Sequence, residues 1–367
     1  MSDCGVKEFK LRELLKIYNG TKYDHLNKGD IPLYGSGGLM SHVDEALYSG
    51  EAILLPRKGT LSNIMYVNES FWTVDTMYYA VVNDKLADAF YLYSYLSQLD
   101  LSNLDSGSTL PSMTKSAYES IVVKLPDLNI QKAVANILFN LRKKLEINNQ
   151  INQELEAMAK TLYDYWFVQF DFPDQNGKPY KSSGGKMVYN PELKREIPEG
   201  WGVEKLKYFL TIKNGKDHKH LQDGKFAVYG SGGIMRTVAD YLYSGESILF
   251  PRKGTLNNVM YVNEKFWTVD TMFYSEVNKN NSALYVFYSV KDIDFNKLNT
   301  GTGVPSMTSS ILYDLNIIVP EENILEKFNT VVKRNYDTIK LNNIQNQELT
   351  QLRDWLLPML MNGQVKV

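Results

Sequence analysis

The chain has one cysteine, Cys4, in 367 residues. That excludes a disulfide framework and a cysteine-based zinc site, and it fits a reducing compartment. The four histidines, His25, His42, His218 and His220, stand without metal-ligand spacing, so no metal site is expected. No apolar run reaches the roughly 18 residues that a membrane span needs, and no basic-then-apolar leader opens the chain. A cytoplasmic protein with no membrane contact is expected. Surplus positive charge is missing too: 40 Lys and Arg face 42 Asp and Glu. Segment 1–126 carries 11 against 15, and 201–320 carries 13 against 11. Free-standing nucleic-acid binders usually show a basic surplus, because phosphate neutralisation supplies most non-specific affinity. If the chain binds DNA, it does so through local patches, or a partner supplies the missing positive charge.

Catalytic signatures are missing as well. There is no Gly-x-x-x-x-Gly-Lys-Ser/Thr phosphate loop and no Asn-Pro-Pro-aromatic stretch; Asn190-Pro191-Glu192-Leu193 does not qualify. Gly35-Ser36-Gly37-Gly38 follows only a short strand-like run and lacks the helix and downstream acid of a dinucleotide loop, so a tight turn is the better reading. No nucleophilic triad can be assembled. Neither a catalytic residue nor a cofactor is expected.

What is present is a duplication. Residues 31–79 align without a gap on 226–274, and 34 of the 49 positions are identical. YGSGG (34–38, 229–233), PRKGTL (56–61, 251–256), MYVNE (65–69, 260–264) and FWTVDTM (71–77, 266–272) all recur. Pro111-Ser112-Met113-Thr114 then matches Pro305-Ser306-Met307-Thr308. Short β-branched and aromatic runs at 52–55, 63–67, 71–74 and 77–82, with a helical pattern at 87–99, give each copy a mixed α+β character.

Each copy is followed by a long amphipathic stretch. Ile130, Val134, Ile137, Leu141, Leu145, Ile151, Leu155, Met158 and Leu162 predict a helix over 129–167, opened by Leu-Pro-Asp. Ile324, Phe328, Val331, Ile339, Ile344, Leu349, Leu352, Leu356 and Leu360 predict its counterpart after Val-Pro-Glu-Glu. Both carry Asn-x-x-x-Asn-Gln-Glu-Leu, at 148–155 and 342–349. The stretch between 171 and 200, rich in Gly, Pro, Ser and Lys, predicts an irregular connector. Stripes this long need partners, and each helix is the natural partner of the other. Two duplicated units joined through antiparallel, coiled-coil helices would sit about a pseudo-two-fold axis, which suits double-stranded DNA.

The candidate contact residues lie in loops. Arg57, Lys58 and Thr60, repeated as Arg252, Lys253 and Thr255, put two cations beside a glycine; arginine forks onto guanine or phosphate, and lysine serves phosphates. The bland reading is a solvated hairpin tip. Ser36, Ser112 and Thr114, with Ser231, Ser306 and Thr308, are small hydroxyls that either bind phosphate or cap turns. Lys22 and His25, with Lys216 and His220, complete the set. Phe71-Trp72 and Phe266-Trp267 are expected in the core, and Asp75 and Asp270 as acceptors for loop N–H groups. Among positions that differ between copies are Thr21/Lys216, Tyr23/His218, Asp24/Lys219, Ser41-His42/Arg236-Thr237 and Thr109/Gly303.

The doubled order GSGG, PRKGT, FWTVDT, PSMT and helix resembles the specificity subunit of type I restriction-modification systems. The likeness covers essentially the whole chain and includes LYDYWFVQFDFPDQNGKPYKSSG (162–184) and IPEGW (197–201). It implies target-recognition domains at 1–128 and 201–320, spacer helices at 129–170 and 321–367, and a connector at 171–200. Each domain would read half of an interrupted DNA site. The helices would dock two methyltransferase subunits, and restriction/translocase subunits would join them. Such a subunit is not itself catalytic. The two domains here are more alike than the family's usual pair, which implies a near-palindromic target. The rival reading is a duplicated protein–protein adaptor dimerising through its helices; a fused DNA-modifying enzyme lacks the motifs it needs.

Overall fold

The computed structural model describes residues 6–101, 111–299, 303–361 and 364; Cys4 and Thr109 lie outside them. The chain forms two compact units, Met1–Asn148 with Ile344–Val367, and Asn149–Asn343.

In the first unit, β1 (Lys7–Lys10), α1 (Leu11–Leu14), β2 (Leu15–Asn19), β3 (Lys28–Gly35), β4 (Gly38–Val43), β5 (Tyr48–Pro56), β6 (Met65–Thr73) and β7 (Met77–Val82) lead to α2 (Ala89–Leu96). After α3 (Lys115–Ser120) and β8 (Val122–Leu125) the chain enters α4 (Leu128–Tyr163). Six strands form one sheet in the order β2-β7-β5-β6-β3-β4, and β1 pairs with β8. Only β3 and β6 run parallel within the sheet. The Ala-Ile-Leu-Leu run of β5 is buried throughout because the sheet is covered on both faces. Ala52 and Leu54 face Val67, Phe71 and Met77. Ile53 and Leu55 face the opposite cluster, which includes Phe90 of α2 and Val134 and Leu138 of α4. Gln131, buried at the start of α4, donates to the Pro126 carbonyl at 2.8 Å and accepts from the Asp88 N–H at 3.0 Å, which fixes the helix to the domain.

The second unit repeats this plan. Its elements are β9 (Met187–Asn190), β10 (Arg195–Pro198), β11 (Gly202–Lys205), β12 (Leu210–Asn214), β13 (Asp223–Gly230), β14 (Gly233–Val238), β15 (Tyr243–Pro251), β16 (Met260–Thr268) and β17 (Met272–Val277). α5 (Ala283–Lys291), α6 (Ser309–Tyr313), β18 (Asn316–Val319) and α7 (Glu322–Met361) follow. Its sheet order, β12-β17-β15-β16-β13-β14, matches the first strand for strand, and β11 pairs with β18. Phe71, Trp72, Phe266 and Trp267 are all buried, as expected of core residues.

Two expectations are corrected. The first long helix ends at Tyr163, and residues 164–168 widen into a π-turn that sends Trp166 and Phe167 into the core. The connector is not wholly irregular: β9 and β10 form a ribbon whose turn uses Lys194 at φ 52°.

The long helices pair antiparallel within each unit. In the first, the Asn148 amide donates to Gln345 Oε1 and Asn346 Oδ1, both at 2.8 Å, while Leu360 packs into the cluster of Val134 and Leu138. In the second, Asn152 donates to Asn343 at 2.9 Å and accepts from Asn342 at 2.8 Å. Asn148 corresponds to Asn342 and Asn152 to Asn346, so the same polar contact is made twice with the helices exchanging roles. The apolar side chains nearest these contacts, Ile147, Ile151, Leu341 and Ile344, are exposed, so buried asparagines rather than an apolar stripe select one register here.

Candidate functional site

In each unit the repeated motifs converge on one end of the sheet. YGSGG is the β3–β4 turn: Gly35 pairs with Gly38, whose φ of 113° requires glycine. The Arg57-Lys58-Gly59 loop meets this turn. A Cβ on Gly59 would stand 3.0 Å from Ser36 Oγ, and Asn63 Nδ2 donates to the Ser36 carbonyl at 2.9 Å. The Arg57 and Lys58 N–H groups both donate to the Thr76 carbonyl, which lies in TVDT. From the other side, PSMT runs alongside: Lys58 bridges Ser112, Met113 N–H donates to the Arg57 carbonyl at 2.9 Å, and Gly59 N–H donates to the Pro111 carbonyl at 3.0 Å.

The second unit builds the same junction from Ser231, Arg252, Lys253, Gly254, Thr271 and Ser306. Arg252 and Lys253 N–H groups donate to the Thr271 carbonyl, Lys253 bridges Ser306, and Asn258 Nδ2 donates to the Ser231 carbonyl at 2.8 Å. Backbone geometry is thus fixed, while Arg57, Lys58, Thr60, Arg252, Lys253 and Thr255 are exposed. The Arg57 guanidinium lies 5.9 Å from the Tyr78 ring centre and Arg252 5.9 Å from that of Phe273, so aromatic faces orient both.

The 21–25 segment is held beside this junction. Trp72 Nε1 donates to the Thr21 carbonyl at 3.0 Å and the His25 ring packs edge-on at 5.5 Å. Trp267 Nε1 and His220 do the same at the Lys216 carbonyl and the Trp267 ring. Lys22, Lys216 and both imidazoles are exposed.

The hydroxyls divide. Thr114 Oγ1 accepts from Ala117 N–H at 3.1 Å as the N-cap of α3, the turn-capping alternative. Thr308 precedes α6 without a side-chain cap bond and lies 2.8 Å from Ser310 Oγ. The loop acceptors are main-chain carbonyls rather than the side chains of Asp75 and Asp270: Arg57 Nη1 donates to the Asp75 carbonyl at 3.3 Å.

Sequence reasoning missed Asn63 and Asn258, which tie the two loops together; their recurrence before MYVNE was the available signal. It also missed the exposed apolar pairs Leu39-Met40 and Ile234-Met235 that follow each glycine turn. Among the described residues no group of three metal-ligating side chains occurs, and no helix is long and apolar enough to cross a membrane.

This geometry, doubled, accompanies a doubled family match. The model for the type I restriction modification DNA specificity domain matches residues 4–157 and again 198–351. The chain belongs to that family. Its two tandem specificity domains are the organisation of a specificity subunit, and the adaptor alternative is not favoured. A specificity subunit of the type I enzyme MjaIX from Methanocaldococcus jannaschii is 28% identical over 297 residues, covering 73% of this chain and 66% of that protein. The chain thus spans just under two thirds of that relative. The HindI specificity subunit of Haemophilus influenzae is 22% identical, over 70% of this chain and 72% of its own length. The crystal structure of a type I S subunit from M. genitalium shares the fold, with a TM-score of 0.70 over 98% of this chain and 97% of that one at 16% identity.

Proposed function

We propose that the chain is the non-catalytic DNA-reading subunit of a cytoplasmic type I restriction-modification complex, each domain reading one half of an interrupted, near-palindromic duplex site. The observation that carries this reading is the exposed arginine–lysine pair, held at a rigid junction of four repeated motifs in each domain. Arg57 and Arg252 are assigned to base edges, Lys58 and Lys253 to phosphates, with the surrounding hydroxyls and Lys22, His25, Lys216 and His220 on the same strand path. Family membership supports methyltransferase and restriction/translocase subunits as partners, and we infer two methyltransferase subunits, one for each domain. Exposed apolar side chains support helical docking, namely Ile130, Phe139, Ile147 and Trp355 in the first unit and Met158, Val331 and Leu341 in the second. A partner carrying positive charge also resolves the missing basic surplus.

The test is reconstitution with methyltransferase subunits and methyl donor on a random duplex library, followed by sequencing of methylated bases. An interrupted two-part motif is expected, together with retarded mobility of the DNA. Methylation without a two-part motif, or no retention of duplex DNA by the assembled complex, sinks the reading.

A further inference from the structure

Beside the edge strand of the first domain lies an open groove of about 670 Å³ between the Tyr23–Asp30 segment and β4. Tyr23, Lys28, Asp30, Ser41 and His42 line it. The segment is latched at the groove's end, where the Asn27 N–H and Nδ2 both donate to the Asp44 carboxylate at 2.9 Å.

The second domain ties the same place together by a different device. Asp44 corresponds to Ala239, which has no carboxylate to accept such a latch. Ser41 corresponds to Arg236, whose Nη2 reaches across to the Leu221 carbonyl at 3.0 Å and the Asp223 carboxylate at 2.7 Å. The charge order at the strand start is also reversed, Lys28-Gly29-Asp30 against Asp223-Gly224-Lys225. One backbone therefore carries two different donor and acceptor patterns at one equivalent position.

The lining chemistry selects the ligand. Phosphate is met by donors alone, as in the Arg-Lys loops, whereas a base edge offers both donors and acceptors. A cation, a carboxylate, an imidazole and hydroxyls together suit the base edge. Position agrees: Ser41 lies four residues from Gly37 at the turn, roughly 13 Å at 3.3 Å per strand residue. A two-stranded ribbon of this kind fits the major groove.

We propose that this groove is the position at which the two domains read different base pairs, with Lys28, Asp30 and Ser41 set against Asp223, Lys225 and Arg236. The inference rests on the DNA-reading function above. It deepens that reading by placing the difference between half-sites at one locus.

The experiment uses the full chain in the reconstituted methyltransferase complex. Lys28→Asp, Asp30→Lys and Ser41→Arg are combined in the first domain, and the reciprocal Asp223→Lys, Lys225→Asp and Arg236→Ser in the second. Each exchange is expected to shift its half-site at one base pair toward the other domain's preference by at least about tenfold, leaving the remaining positions intact. Half-sites unchanged by both exchanges overturn the inference. If an exchange abolishes methylation, competition binding decides. Weakening confined to DNA that carries the affected half-site supports the groove, and equal weakening on DNA lacking it counts against. Failure of the unaltered complex to give any two-part motif would instead overturn the function on which the inference rests.

Discussion

The far ends of α4 and α7 do the same job with different chemistry. Leu162, Tyr163, Trp166 and Phe167 pack on the second domain, and their counterparts 194 positions later, Leu356, Leu357, Leu360 and Met361, pack on the first. The second unit thus has an aromatic clasp: Phe167 stands 4.6 Å from Tyr285, 5.0 Å from Phe328 and 6.0 Å from Trp201. The chain continues from it into the connector, where Phe172 stacks on Trp201 and Tyr180, both at 4.7 Å. The first unit closes with aliphatic side chains. Duplication kept the positions of the clasp while its contents followed local need. Tightly packed rings hold the chain where it leaves the helix through the π-turn, and leucines on either side of Pro358 suffice at the end of α7.

Emptying the clasps should separate the two units most strongly. Phe167→Ala should cost about 3–5 kcal/mol and Leu360→Ala about 2–5 kcal/mol, each by lost burial plus a cavity. Calorimetry should show Phe167→Ala lowering the transition of the second unit and Leu360→Ala that of the first. One shared transition displaced by both would erase the distinction.

For the proposed DNA contacts the contrast is between half-sites. Arg57→Ala and Arg252→Ala should each weaken binding by about 1–3 kcal/mol and relax specificity in one half only. Lys58→Ala should weaken all sequences alike and flatten the salt dependence. Competition binding with DNA altered in one half at a time measures this; identical losses on both halves would break the assignment of one domain to each.

A smaller difference lies where helix meets sheet. In the second unit Lys333 lies 3.7 Å from Glu246, Lys340 lies 3.1 Å from Glu264, and the Tyr336 hydroxyl donates to the Tyr261 carbonyl at 3.3 Å. In the first unit Glu51 and Glu69 keep their tyrosine partners, Tyr66 and Tyr34. The helix there offers Arg142, whose Nε pairs with Glu146 of its own helix at 2.8 Å and whose Nη1 is buried without a hydrogen-bond partner. Lys340→Ala should therefore cost about 0.5–1 kcal/mol, whereas Arg142→Met, which gives up only the local pair with Glu146 while relieving the unpaired Nη1, should cost less, about 0–0.5 kcal/mol. Denaturant midpoints at constant slope would show it, and equal losses would mean that both interfaces use their cations alike.

The smallest effect is one of pH. The hydrogen bond from the Asn27 side chain holds the Asp44 carboxyl below its usual range despite a small opposing effect of burial. A depressed acid contributes stability that is present above its unfolded value, near 3.9, and is lost as pH falls through the lower folded value. Protection of the Asn27 amide, taken against the intrinsic exchange rate at each pH, should fall below that range in the first domain. Ala239 denies the second domain the same response; Asp44→Ala should abolish it, whereas Asn27→Ala, which keeps the backbone N–H bond to Asp44, should only reduce it.

Periodicity made the long helices legible, and duplication made the repeated motifs stand out before any fold was known. The turn at Tyr34–Gly38 was readable because glycine at positive φ has a local cause. The meeting of Ser36, Gly59, Thr76 and Pro111 was not, because strand order and register arise from contacts far apart in sequence. The π-turn at 164–168 was hidden for a related reason: its apolar residues continue the helical pattern, and only packing of Phe167 against Tyr285 and Phe328 bends the chain out of it. Arg236 was visible as a difference from Ser41, but its reach to Asp223 was not.

The asparagine seam has a genetic consequence. Because Asn148–Asn346 and Asn152–Asn342 are one contact written twice, the coding segments for the two helices are interchangeable at that point. A recombination crossover inside Asn-x-x-x-Asn-Gln-Glu-Leu joins any upstream domain to any downstream one and still regenerates both pairs. Two genes that share this segment can therefore exchange whole domains by recombination while the frame that holds them stays the same.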